Sequence, residues 1–524
     1  MRSLFGDITH TRRNVLGLAA AATGSALLGA CSTTDPNPGP QVPGHGGAPF
    51  TPRGYLTPDG PKVRAAEAAR RGGRERAVRL TATAATIDLG AGRTVRTWAY
   101  GDQLPGPEIR VTAGETLAVT LANHLPEDTS AHWHGLALRN DMDGVPGITQ
   151  RGIRPGGSFA YRFTAPHPGT YWFHPHSGTQ RDRGLYAPLI VEDPREPLSY
   201  DKEWVLVLDD WLDGVAGSTP DAVLAELRQG MLEHGGAHSG HGSAGSGSSH
   251  MLMGAESELL GGDAGDVAYP YYLVNGRSAD APEEFRARPG DRIRLRIVNV
   301  GGDTAFRVAL GGHSLTVTHT DGFPVEHRES DALLIGMGER YDVLVTARDG
   351  VFPLTAVAEG KGAAGLAVLR TGEGRAPAAD VRPRELAGRV AGADALKAAP
   401  GAALGRRTPD RVIRIRLTGS MARYDWAFDG RPYSPGHRYG VRAGERVRLV
   451  FSNTTAMWHP LHLHGHTFAL AGTSGGARKD TALVLPKGTL AVDFDADNPG
   501  QWMIHCHNVY HAEAGMMAVL GYLE

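Results

Sequence analysis

Apolar and polar residues alternate with period two along three similar segments of the chain, RVTAGETLAVTLANHL, RARPGDRIRLRIVNVG and GVRAGERVRLVFSNTT. Each segment has a turn glycine, a charged residue, an alternating run and an asparagine nine positions after the glycine. Such alternation is typical of half-buried antiparallel strands. The repetition therefore predicts an all-β protein with three tandem β-sandwich domains. The glycine and asparagine pairs are Gly114 and Asn123, Gly290 and Asn299, and Gly444 and Asn453.

Length and turn content agree with this prediction. A chain of 524 residues is long enough for about three domains of about 150 residues each. Its 71 glycines and 34 prolines favour turn-rich β architecture over long helices. The predicted parts are a signal over 1–31, a Pro/Gly-rich tether over 32–77, sandwiches over 78–199, 200–373 and 408–524, and a partly helical connector over 374–407.

The first residues resemble an export signal. Arg12 and Arg13 precede a short run of apolar and small residues that ends at Cys31 in LLGAC. Paired arginines are typical of Tat signals, whose cargo crosses the membrane folded, and LLGAC resembles a lipoprotein box. We therefore predict a Tat-exported lipoprotein of the periplasm or outer cell envelope, in contact with the membrane only through a lipid on Cys31. The alternative is a plain cleaved signal with an incidental cysteine.

Charge and cysteine content narrow the chemistry further. The formal net charge is -2 and the isoelectric point about 6.9, so nothing indicates nucleic acid or an anionic surface as partner. If Cys31 carries a lipid or is removed, Cys506 is the only thiol of the folded protein and cannot form an intramolecular disulfide. A lone cysteine is usually a small buried hydrophobe. Cys506, however, lies directly between two histidines in the triplet HCH.

Histidines recur at matched offsets in the first and third repeats. Two stand nine and eleven residues after the repeat asparagine, and two stand five and seven residues after a later glycine, Gly169 or Gly500. Histidines with only surface or core roles would not recur in this way, so we predict that all eight are metal ligands. They are His132, His134, His174 and His176 in the first repeat and His462, His464, His505 and His507 in the third, where the middle repeat has Val308, Leu310, Thr355 and Val357.

Each pair of these histidines has the form His-x-His on a predicted strand. Side chains at positions i and i+2 leave the same face of a strand, about 7 Å apart. Two facing domains would therefore bring eight imidazoles to one interface, which is too many for one ion. Imidazole binds copper, zinc, iron and nickel, so the histidines alone do not choose the metal.

Cys506 indicates copper. Period-two alternation directs its side chain away from His505 and His507, towards the interior of the third domain. Two histidines, a thiolate and a weak axial methionine form a blue-copper electron-transfer site. The predicted ligands of this site are His459, Cys506, His511 and Met516, and the alternative axial ligand is the neighbouring Met517, which is less favoured and otherwise belongs to the core.

The HCH triplet would join the two kinds of site covalently. Electrons that enter at Cys506 would reach the histidine-bound ions through only a few bonds. A cluster that collects electrons one at a time suits the four-electron reduction of dioxygen to water, whereas a metal-storage site would not need this connection.

Four motifs, HWHG, HPH, HPLHLHGH and HCHNVYHAEAGM, together resemble the copper signatures of the three-domain multicopper oxidases, the laccase and copper-efflux oxidase family. The likeness covers essentially the whole mature chain. It implies three cupredoxin-like Greek-key β-sandwiches and an enzyme with four copper ions, which oxidises its substrate at a type 1 copper and reduces dioxygen to water. The implied ligands are His459, Cys506, His511 and Met516 for type 1, His132 and His462 for type 2, His134, His174 and His507 for one type 3 ion, and His176, His464 and His505 for the other.

The resemblance also concerns the protons that dioxygen reduction consumes. Asp143 in GLALRNDMDGVPG matches the acid that the family has near the type 2 copper, so we predict that it relays protons. The alternative is a turn aspartate in DMDG. Ala512 departs from the family, since bacterial relatives often have a glutamate directly after the histidine that matches His511. Glu513 alternates to another direction, so a second proton route is not assigned.

An insert in the middle domain bears on the electron donor. Residues 233–253 read EHGGAHSGHGSAGSGSSHMLM and combine glycine and serine with histidine and methionine. Copper-efflux oxidases resemble this in having a Met-rich insert that collects Cu(I), which thioethers bind well. The alternative is a flexible glycine linker with incidental histidines. The predicted accessory copper ligands are His234, His238, His241, His250, Met251 and Met253.

The donor is therefore predicted to be Cu(I), oxidised to the less permeant Cu(II) for copper tolerance by a monomeric enzyme. The alternative is laccase-like oxidation of phenolic or aromatic donors at an exposed edge of His511. Some relatives keep the fold after losing their ligands, but all twelve ligand positions are intact here. A nitrite reductase is disfavoured because it would not need both complete type 3 sets.

Overall fold

The structure, a computed structural model, describes residues 48–229, 249–471 and 475–524. Within these ranges the strands form six larger sheets, two for each predicted sandwich, and one small two-stranded sheet. The prediction of an all-β fold is confirmed. The signal, including Cys31, lies outside the described residues. In the part of the chain that is described, no helix is both long and apolar enough to span a membrane.

The first sandwich consists of two four-stranded sheets, with strand orders β2-β1-β4-β6 and β3-β8-β7-β5. Its strands are β1 (Glu75–Asp88), β2 (Thr94–Tyr100), β3 (Ile109–Thr112), β4 (Thr116–Asn123), β5 (His132–His134), β6 (Ser158–Thr164), β7 (Gly169–His174) and β8 (Ala187–Glu192).

The middle sandwich is larger and carries the two-stranded sheet β10-β11 beside its main sheets, β13-β12-β9-β15-β20-β17-β18 and β14-β22-β21-β16-β19-β23. Its strands are β9 (Lys202–Trp211), β10 (Glu256–Ser257), β11 (Gly262–Asp263), β12 (Tyr271–Val274), β13 (Arg277–Ser278), β14 (Glu283–Arg286), β15 (Arg292–Asn299), β16 (Phe306–Leu310), β17 (Leu315–Thr320), β18 (Phe323–Ser330), β19 (Ala332–Ile335), β20 (Arg340–Thr346), β21 (Val351–Ala358), β22 (Ala364–Arg370) and β23 (Val390–Ala391).

The third sandwich has the sheets β25-β24-β27-β32-β29-β30 and β26-β34-β33-β28-β31. Its strands are β24 (Arg411–Thr418), β25 (Ala427–Phe428), β26 (Arg438–Val441), β27 (Arg446–Asn453), β28 (His459–Leu463), β29 (Phe468–Leu470), β30 (Arg478–Lys479), β31 (Thr481–Val484), β32 (Thr489–Asp495), β33 (Gln501–Cys506) and β34 (Met517–Tyr522).

The three sandwiches share one connectivity. The strand after each repeat glycine, β4, β15 or β27, pairs in parallel with the first strand of its sandwich, β1, β9 or β24. In the other sheet the last long strand, β8, β22 or β34, pairs in parallel with β3, β14 or β26. Parallel neighbours cannot be joined by a hairpin, so the chain crosses between the two sheets in the same way in each domain.

The three repeat asparagines have the same structural role in each sandwich, which explains why the repeats share this residue. Asn123, Asn299 and Asn453 are buried at the ends of β4, β15 and β27. In each case Oδ1 accepts from the backbone N–H two residues later, and Nδ2 donates both to a carbonyl of the loop that follows and to a carbonyl far along the chain, at Ile153, Ile335 or Val484. A buried amide held by three partners fixes the loop that follows. That loop leads into the strand on which the histidines of the first and third copies lie.

Three α-helices lie outside the sheets in the described part of the chain. α1 spans Pro61–Ala69, α2 spans Pro220–Gln229 and α3 spans Val509–Ala514. α3 follows the HCH triplet directly, and Asn508 caps it because its side chain accepts from the N–H groups of Tyr510 and His511. This tight turn returns the chain to the end of β33, next to Cys506.

The prediction of a tether over 32–77 is wrong for residues 48–77, the part that the structure describes. Residues 48–77 include α1 and the start of β1, and the backbone N–H of Leu56 donates to the carbonyl of Tyr522 at 2.8 Å. Gln501 Nε2 donates to the carbonyl of Leu56 at 2.9 Å, and Tyr55 bridges to Leu523. A Pro/Gly-rich segment cannot build a core of its own, but this segment docks on the core of the third sandwich.

The connector over 374–407 contains two short 3-10 helices, Arg384–Ala387 and Ala393–Ala395. Between them β23 adds a parallel edge strand to the middle sandwich. Ala398 then donates to the carbonyl of Gly475 in the third sandwich at 2.8 Å. The middle and third sandwiches also share one continuous apolar cluster, to which Leu295 and Leu449 belong.

Candidate metal centre

The eight matched histidines lie on, or one to two residues beyond, two pairs of antiparallel strands. In the first sandwich β5 pairs with β7, and His132 lies directly opposite His174. In the third sandwich β28 pairs with β33, and His462 lies directly opposite His505. The corresponding strands β16 and β21 of the middle sandwich also pair with each other. At the matched positions they carry Val308, Leu310, Thr355 and Val357 in place of histidines.

The structure brings the histidines of the two sandwiches into one cluster. The ring centroids of His132 and His464 lie 3.7 Å apart, and those of His134 and His462 also lie 3.7 Å apart. His132 matches His462 in the repeats, and His134 matches His464. Exchanging the two sandwiches therefore turns one contact into the other, so the arrangement is pseudo-twofold. His176 meets His505 at 4.9 Å and His174 meets His507 at 5.4 Å.

Seven of the eight histidines belong to overlapping groups whose donor atoms lie within 4.8 Å of one another. Because His132 and His464 each belong to two of these groups, the rings form a single polynuclear site and do not separate into independent three-ligand sites. The groups are His132, His134 and His174; His132, His176 and His464; and His462, His464 and His505.

The hydrogen bonds of the rings indicate that the cluster is built for cations. His464 Nδ1 donates to Asp143 at 2.9 Å and His505 Nδ1 donates to the carbonyl of Cys506 at 2.8 Å. Both Nε2 atoms therefore carry lone pairs, yet they face each other at 3.2 Å. Two lone pairs at this distance need a positive charge between them. Five further buried ring nitrogens have no hydrogen-bond partner among the described residues: His132 Nε2, His134 Nδ1, His174 Nε2, His176 Nε2 and His462 Nε2.

Burial favours the neutral form of seven of the eight rings. It lowers the pKa of each of these seven, because the low-dielectric interior penalises the imidazolium form, and neighbouring rings and Arg181 add to the effect for most. Neutral imidazole is the form that binds a metal. The affected histidines are His134, His174, His176, His462, His464, His505 and His507.

His507 differs from the other seven. Arg181 Nη1 lies 2.7 Å from its Nδ1 and 3.1 Å from its Nε2, and Arg181 Nη2 donates to the carbonyl of His507 at 2.9 Å. His507 therefore lies within the ring cluster, 4.8 Å from His134 by ring centroids, with a guanidinium against its ring nitrogens. The sequence offered no signal for this contact.

Cys506 lies on the opposite face of β33 from the ring cluster, as alternation predicts. Its Sγ is 3.7 Å from His459 Nδ1 and 3.6 Å from His511 Nδ1, and all three side chains are fully buried. The far nitrogens are held by second partners, because His459 Nε2 meets Thr455 Oγ1 at 2.9 Å and His511 Nε2 donates to Asp266 at 2.9 Å. The two Nδ1 atoms and the sulfur thus point at one place.

The contact with Asp266 changes the pKa of His511. Burial lowers the pKa of His511, but the charge and hydrogen bond of Asp266 outweigh it and raise the pKa to about 10. His511 Nδ1 can then donate to His459 Nδ1, which lies 3.0 Å away. A metal cation bound to the cysteine and the two histidines would replace this proton. The expectation of an exposed His511 edge is wrong, since the ring has 0% exposure and Asp266 covers its Nε2.

The two methionines after α3 lie on different faces. Met516 is fully buried in the apolar cluster that contains Cys506, and its carbonyl accepts from the N–H of Cys506 at 3.0 Å. Met517 begins β34 and packs instead with Val145 and Met503. Ala512 belongs to the same small apolar cluster as Met517. The side chain at position 512 is therefore surrounded by aliphatic groups.

Asp143 has a counterpart that sequence reasoning missed. The carbonyl of Asp143 accepts from His132 Nδ1 and its Oδ2 from His464 Nδ1, both at 2.9 Å. The carbonyl of Asp480 accepts from His462 Nδ1 at 2.9 Å, and its Oδ1 accepts from His134 Nε2 at 3.1 Å. The two aspartates therefore have pseudo-equivalent contacts, each holding one ring of its own sandwich and one ring of the other.

The two aspartates differ in their charged neighbours. Asp480 forms two hydrogen bonds with Arg340, of 2.7 and 2.6 Å. Burial alone would raise the pKa of Asp480, but the guanidinium and the ring donors hold that pKa well below its usual range. Among the described residues no lysine or arginine pairs with Asp143, and its Oδ1 makes no hydrogen bond.

His466 is a further residue that the sequence analysis left without a role. It is the fourth histidine of HPLHLHGH and has 3% exposure. Its Nδ1 donates to the carbonyl of His464 at 3.1 Å, and its Nε2 meets the hydroxyl of Tyr522 at 2.7 Å. It therefore supports the loop of a cluster histidine and does not face the cluster itself.

The insert is described only at its end. His234, His238 and His241 lie outside the described residues. The carbonyl of His250 accepts from Ala268 N–H, and Leu252 N–H donates to the carbonyl of Asp266, both at 2.8 Å. Met251 bridges to Val267, and Met253 is 64% exposed. The end of the insert is thus paired with the residues around Asp266, which contacts His511.

A buried eight-histidine cluster joined through HCH to a cysteine and histidine site defines a copper-dependent electron-transfer protein built from three β-sandwiches. Three sequence models of the family described as multicopper oxidase match residues 81–196, 250–374 and 406–523. The chain belongs to the multicopper oxidase family. It is an oxidoreductase that uses dioxygen and four copper ions.

Relatives and solved structures agree with this assignment. The chain is 52% identical to multicopper oxidase MmcO of Mycobacterium tuberculosis, over 88% of this chain and 90% of that protein. It is 30% identical to a copper resistance protein A homolog of Pseudomonas syringae pv. tomato, over 79% and 87%. A crystal structure of laccase from Botrytis aclada superposes with a TM-score of 0.70 at 25% identity, covering 86% of this chain and 88% of that one.

Proposed function

We propose that this multicopper oxidase takes its electrons from Cu(I) and contributes to copper tolerance at the cell envelope. When bound, copper would supply one-electron transfer from the donor and the reduction of dioxygen to water. The observation that carries the choice of donor is the contact between Asp266 and His511 beside the paired end of the insert. The relatives named copper resistance proteins give independent support.

Asp266 makes this face of His511 attractive to a small cation. Its Oδ2 accepts from His511 Nε2 and from the Tyr424 hydroxyl at 2.9 and 2.8 Å, while its Oδ1 is buried without a hydrogen-bond partner. A buried carboxylate oxygen with a free lone pair favours a positive charge nearby. Met251 and Met253, on the adjoining segment, offer the thioether sulfur that suits Cu(I).

We assign the copper ligands as the family resemblance implies, and the ring contacts support that assignment. The strand β33 carries donors for both kinds of site, with Cys506 on one face and His505 on the other, so that electrons need cross only a few covalent bonds. The assignments are His459, Cys506, His511 and Met516 for type 1, His132 and His462 for type 2, and His134, His174, His507, His176, His464 and His505 for the type 3 pair.

Oxygen uptake with two donors tests the proposal. We expect that Met251→Leu with Met253→Leu, combined with deletion of residues 234–248, lowers kcat/KM for Cu(I) by about tenfold or more, since loss of a residue that supports a metal site typically costs about 10–100-fold. Turnover of a phenol should stay unchanged. The matched control is Met421→Leu, a partly buried methionine of the third sandwich core.

Two outcomes would contradict this. Cu(I) turnover unchanged by the combined variant would refute the role of the insert, and the absence of any Cu(I) turnover in the unaltered enzyme would refute the choice of donor. The second candidate, a laccase-like oxidase of phenolic or aromatic donors, is favoured by the relatives named laccases, such as Laccase-2 of Cryptococcus neoformans at 28% identity. Efficient phenol turnover without Cu(I) turnover would select it.

We further propose that the chain is exported by Tat and anchored by a lipid on Cys31, as a monomer. Support comes from the paired arginines and the LLGAC sequence. We expect the full-length protein in the membrane fraction and a Cys31→Ser variant in the soluble envelope fraction, because a single diacyl-type anchor is the only membrane contact proposed. Equal distribution of both proteins on fractionation would contradict the anchor.

A further inference from the structure

Arg340 lies at the meeting point of all three sandwiches, although its own sandwich carries none of the eight cluster histidines. It is the first residue of β20 and has 0% exposure. Its Nε donates to the carbonyl of Thr170 in the first sandwich at 3.0 Å. Its Nη1 and Nη2 donate to the two carboxylate oxygens of Asp480 in the third sandwich at 2.7 and 2.6 Å.

Asp480 connects Arg340 to the ring cluster, because it also accepts hydrogen bonds from two of the rings. Its Oδ1 accepts from His134 Nε2 and its carbonyl accepts from His462 Nδ1, at 3.1 and 2.9 Å. A histidine that donates from one ring nitrogen presents the other nitrogen as a lone pair. The carboxylate thereby selects Nδ1 of His134 as the atom that faces the cluster, and its carbonyl selects Nε2 of His462. Both of these atoms are buried and have no partner among the described residues.

The surrounding groups fix Asp480 in one orientation. Asp321 of the middle sandwich accepts through Oδ2 from the backbone N–H groups of Asp480 and Thr481 at 3.1 and 3.2 Å. The same carboxylate accepts from Lys479 Nζ at 3.0 Å, and Lys479 also pairs with Glu339 at 3.0 Å. The middle sandwich therefore holds both the backbone and the side chain of this position with buried charges.

Two glycines leave room for the arrangement. A Cβ at Gly135, directly after His134, would come within 2.4 Å of Arg340 Nη2 and 2.7 Å of Asp480 Oδ2. A Cβ at Gly338 would come within 3.0 Å of the His134 ring and 3.1 Å of the His507 ring. Both residues also have positive φ, +87° and +85°. The middle sandwich thus packs its backbone directly against the cluster, and the HWHG motif ends in glycine because the ion pair occupies the space of a side chain.

We propose that Arg340 is a positioning residue, through which the middle sandwich, which carries none of the eight cluster histidines, orients His134 and His462 and so governs copper binding by the cluster. The proposal rests on the copper cluster and not on the identity of the electron donor. The pseudo-equivalent Asp143 has no arginine or lysine partner among the described residues. The ion pair of Arg340 and Asp480 therefore acts on one half of the pseudo-twofold cluster only.

Substitution of Arg340 by lysine is the main test. Lysine keeps the positive charge beside Asp480 but cannot form the two parallel hydrogen bonds that the planar guanidinium makes. We expect Arg340→Lys to bind copper at the histidine cluster about tenfold more weakly, and Arg340→Met about 100-fold more weakly, in line with the loss of outer-shell partners at metal sites. The type 1 site should keep its copper, since Cys506 and its partners lie on the other face of β33.

The readouts are copper bound per chain, the EPR spectrum of the uncoupled type 2 ion, the near-ultraviolet absorption of the coupled pair and the type 1 absorption. Arg294→Lys is the matched control. Arg294 is also buried and donates to a middle-sandwich carboxylate, with Nε and Nη2 at 3.0 and 2.6 Å from Asp342 Oδ2. It contacts none of the eight histidines, so its variant should bind copper normally at both sites.

Selective loss of cluster copper in Arg340→Lys, with a changed type 2 EPR spectrum and normal type 1 absorption, is the expected result. Normal cluster copper in both Arg340 variants would overturn the proposal. Equal loss from the type 1 site and the cluster, or an equal loss in Arg294→Lys, would also overturn it, because either result would show that the ion pair only stabilises the fold. If Arg340→Met fails to fold, Arg340→Lys still separates the orientation of the cluster histidines from stabilisation of the fold, because lysine retains the positive charge.

Discussion

Replacing Cys506 with serine is expected to abolish the blue absorption and to lower dioxygen uptake at least about 100-fold, with the fold intact. Serine has almost the shape of cysteine, and the buried position needs only a small side chain. Its hydroxyl, however, does not deprotonate to a soft anionic ligand as the thiol does. His459 and His511 would remain, but two imidazoles alone cannot form a thiolate electron-transfer site.

The measurement is visible absorption, copper content and steady-state dioxygen uptake, with circular dichroism as the test of folding. Met517→Leu is the matched control, because Met517 follows α3 as Met516 does but packs on the other face. It should keep both the blue colour and the activity. A blue Cys506→Ser protein would contradict the type 1 assignment, and a colourless Met517→Leu protein would contradict the choice between the two methionines.

The ring cluster could be predicted from the sequence because the repeats provide two independent copies of the same spacing. Period-two alternation then determines that His505 and His507 leave one face of a strand and Cys506 the other. The structure agrees, since His505 lies opposite His462 in the register while Cys506 lies opposite Leu461. Local rules of this kind need no knowledge of how the domains are arranged.

Asp480 could not be found in the same way. Asp143 lies 11 residues after His132, whereas Asp480 lies 18 residues after His462, so the repeat spacing does not connect them. The structural equivalence comes from two loops of different length that return to the same ring. Composition failed for a similar reason at residues 48–77, where docking on the third sandwich depends on contacts that are distant in sequence.

Contacts between domains are also beyond a repeat comparison. Asp266 is 245 residues from His511, and Arg340 is 140 residues from Asp480. Both belong to the middle sandwich, where matched offsets showed only apolar residues and a threonine. A comparison of the repeats therefore identified the middle domain as the one without ligands. Its buried charges nevertheless reach both the type 1 site and the ring cluster.

Asp143→Asn is expected to lower kcat for dioxygen reduction by about 100-fold or more, because a general acid or base typically contributes 10²–10⁴-fold. The asparagine Oδ1 can still accept from His464 Nδ1, and the backbone carbonyl still accepts from His132 Nδ1, so both rings keep their orientation. What the amide cannot do is take up and release a proton. The loss should therefore appear in turnover and in the solvent deuterium isotope effect, while copper content stays normal.

Asp141→Asn is the matched control, since Asp141 lies two residues away and its carboxylate binds Arg139 at 2.6 Å without touching a cluster ring. Its activity should equal that of the unaltered enzyme. Full activity in Asp143→Asn would leave Asp143 as a turn residue that only orients two histidines. Loss of copper in Asp143→Asn would also indicate a role in orienting the two histidines. A residue that serves only in proton transfer can lose its charge without release of the metal. Asp480 is not expected to substitute for Asp143. Its carboxylate is paired with Arg340, which holds its pKa low, so it does not readily accept a proton.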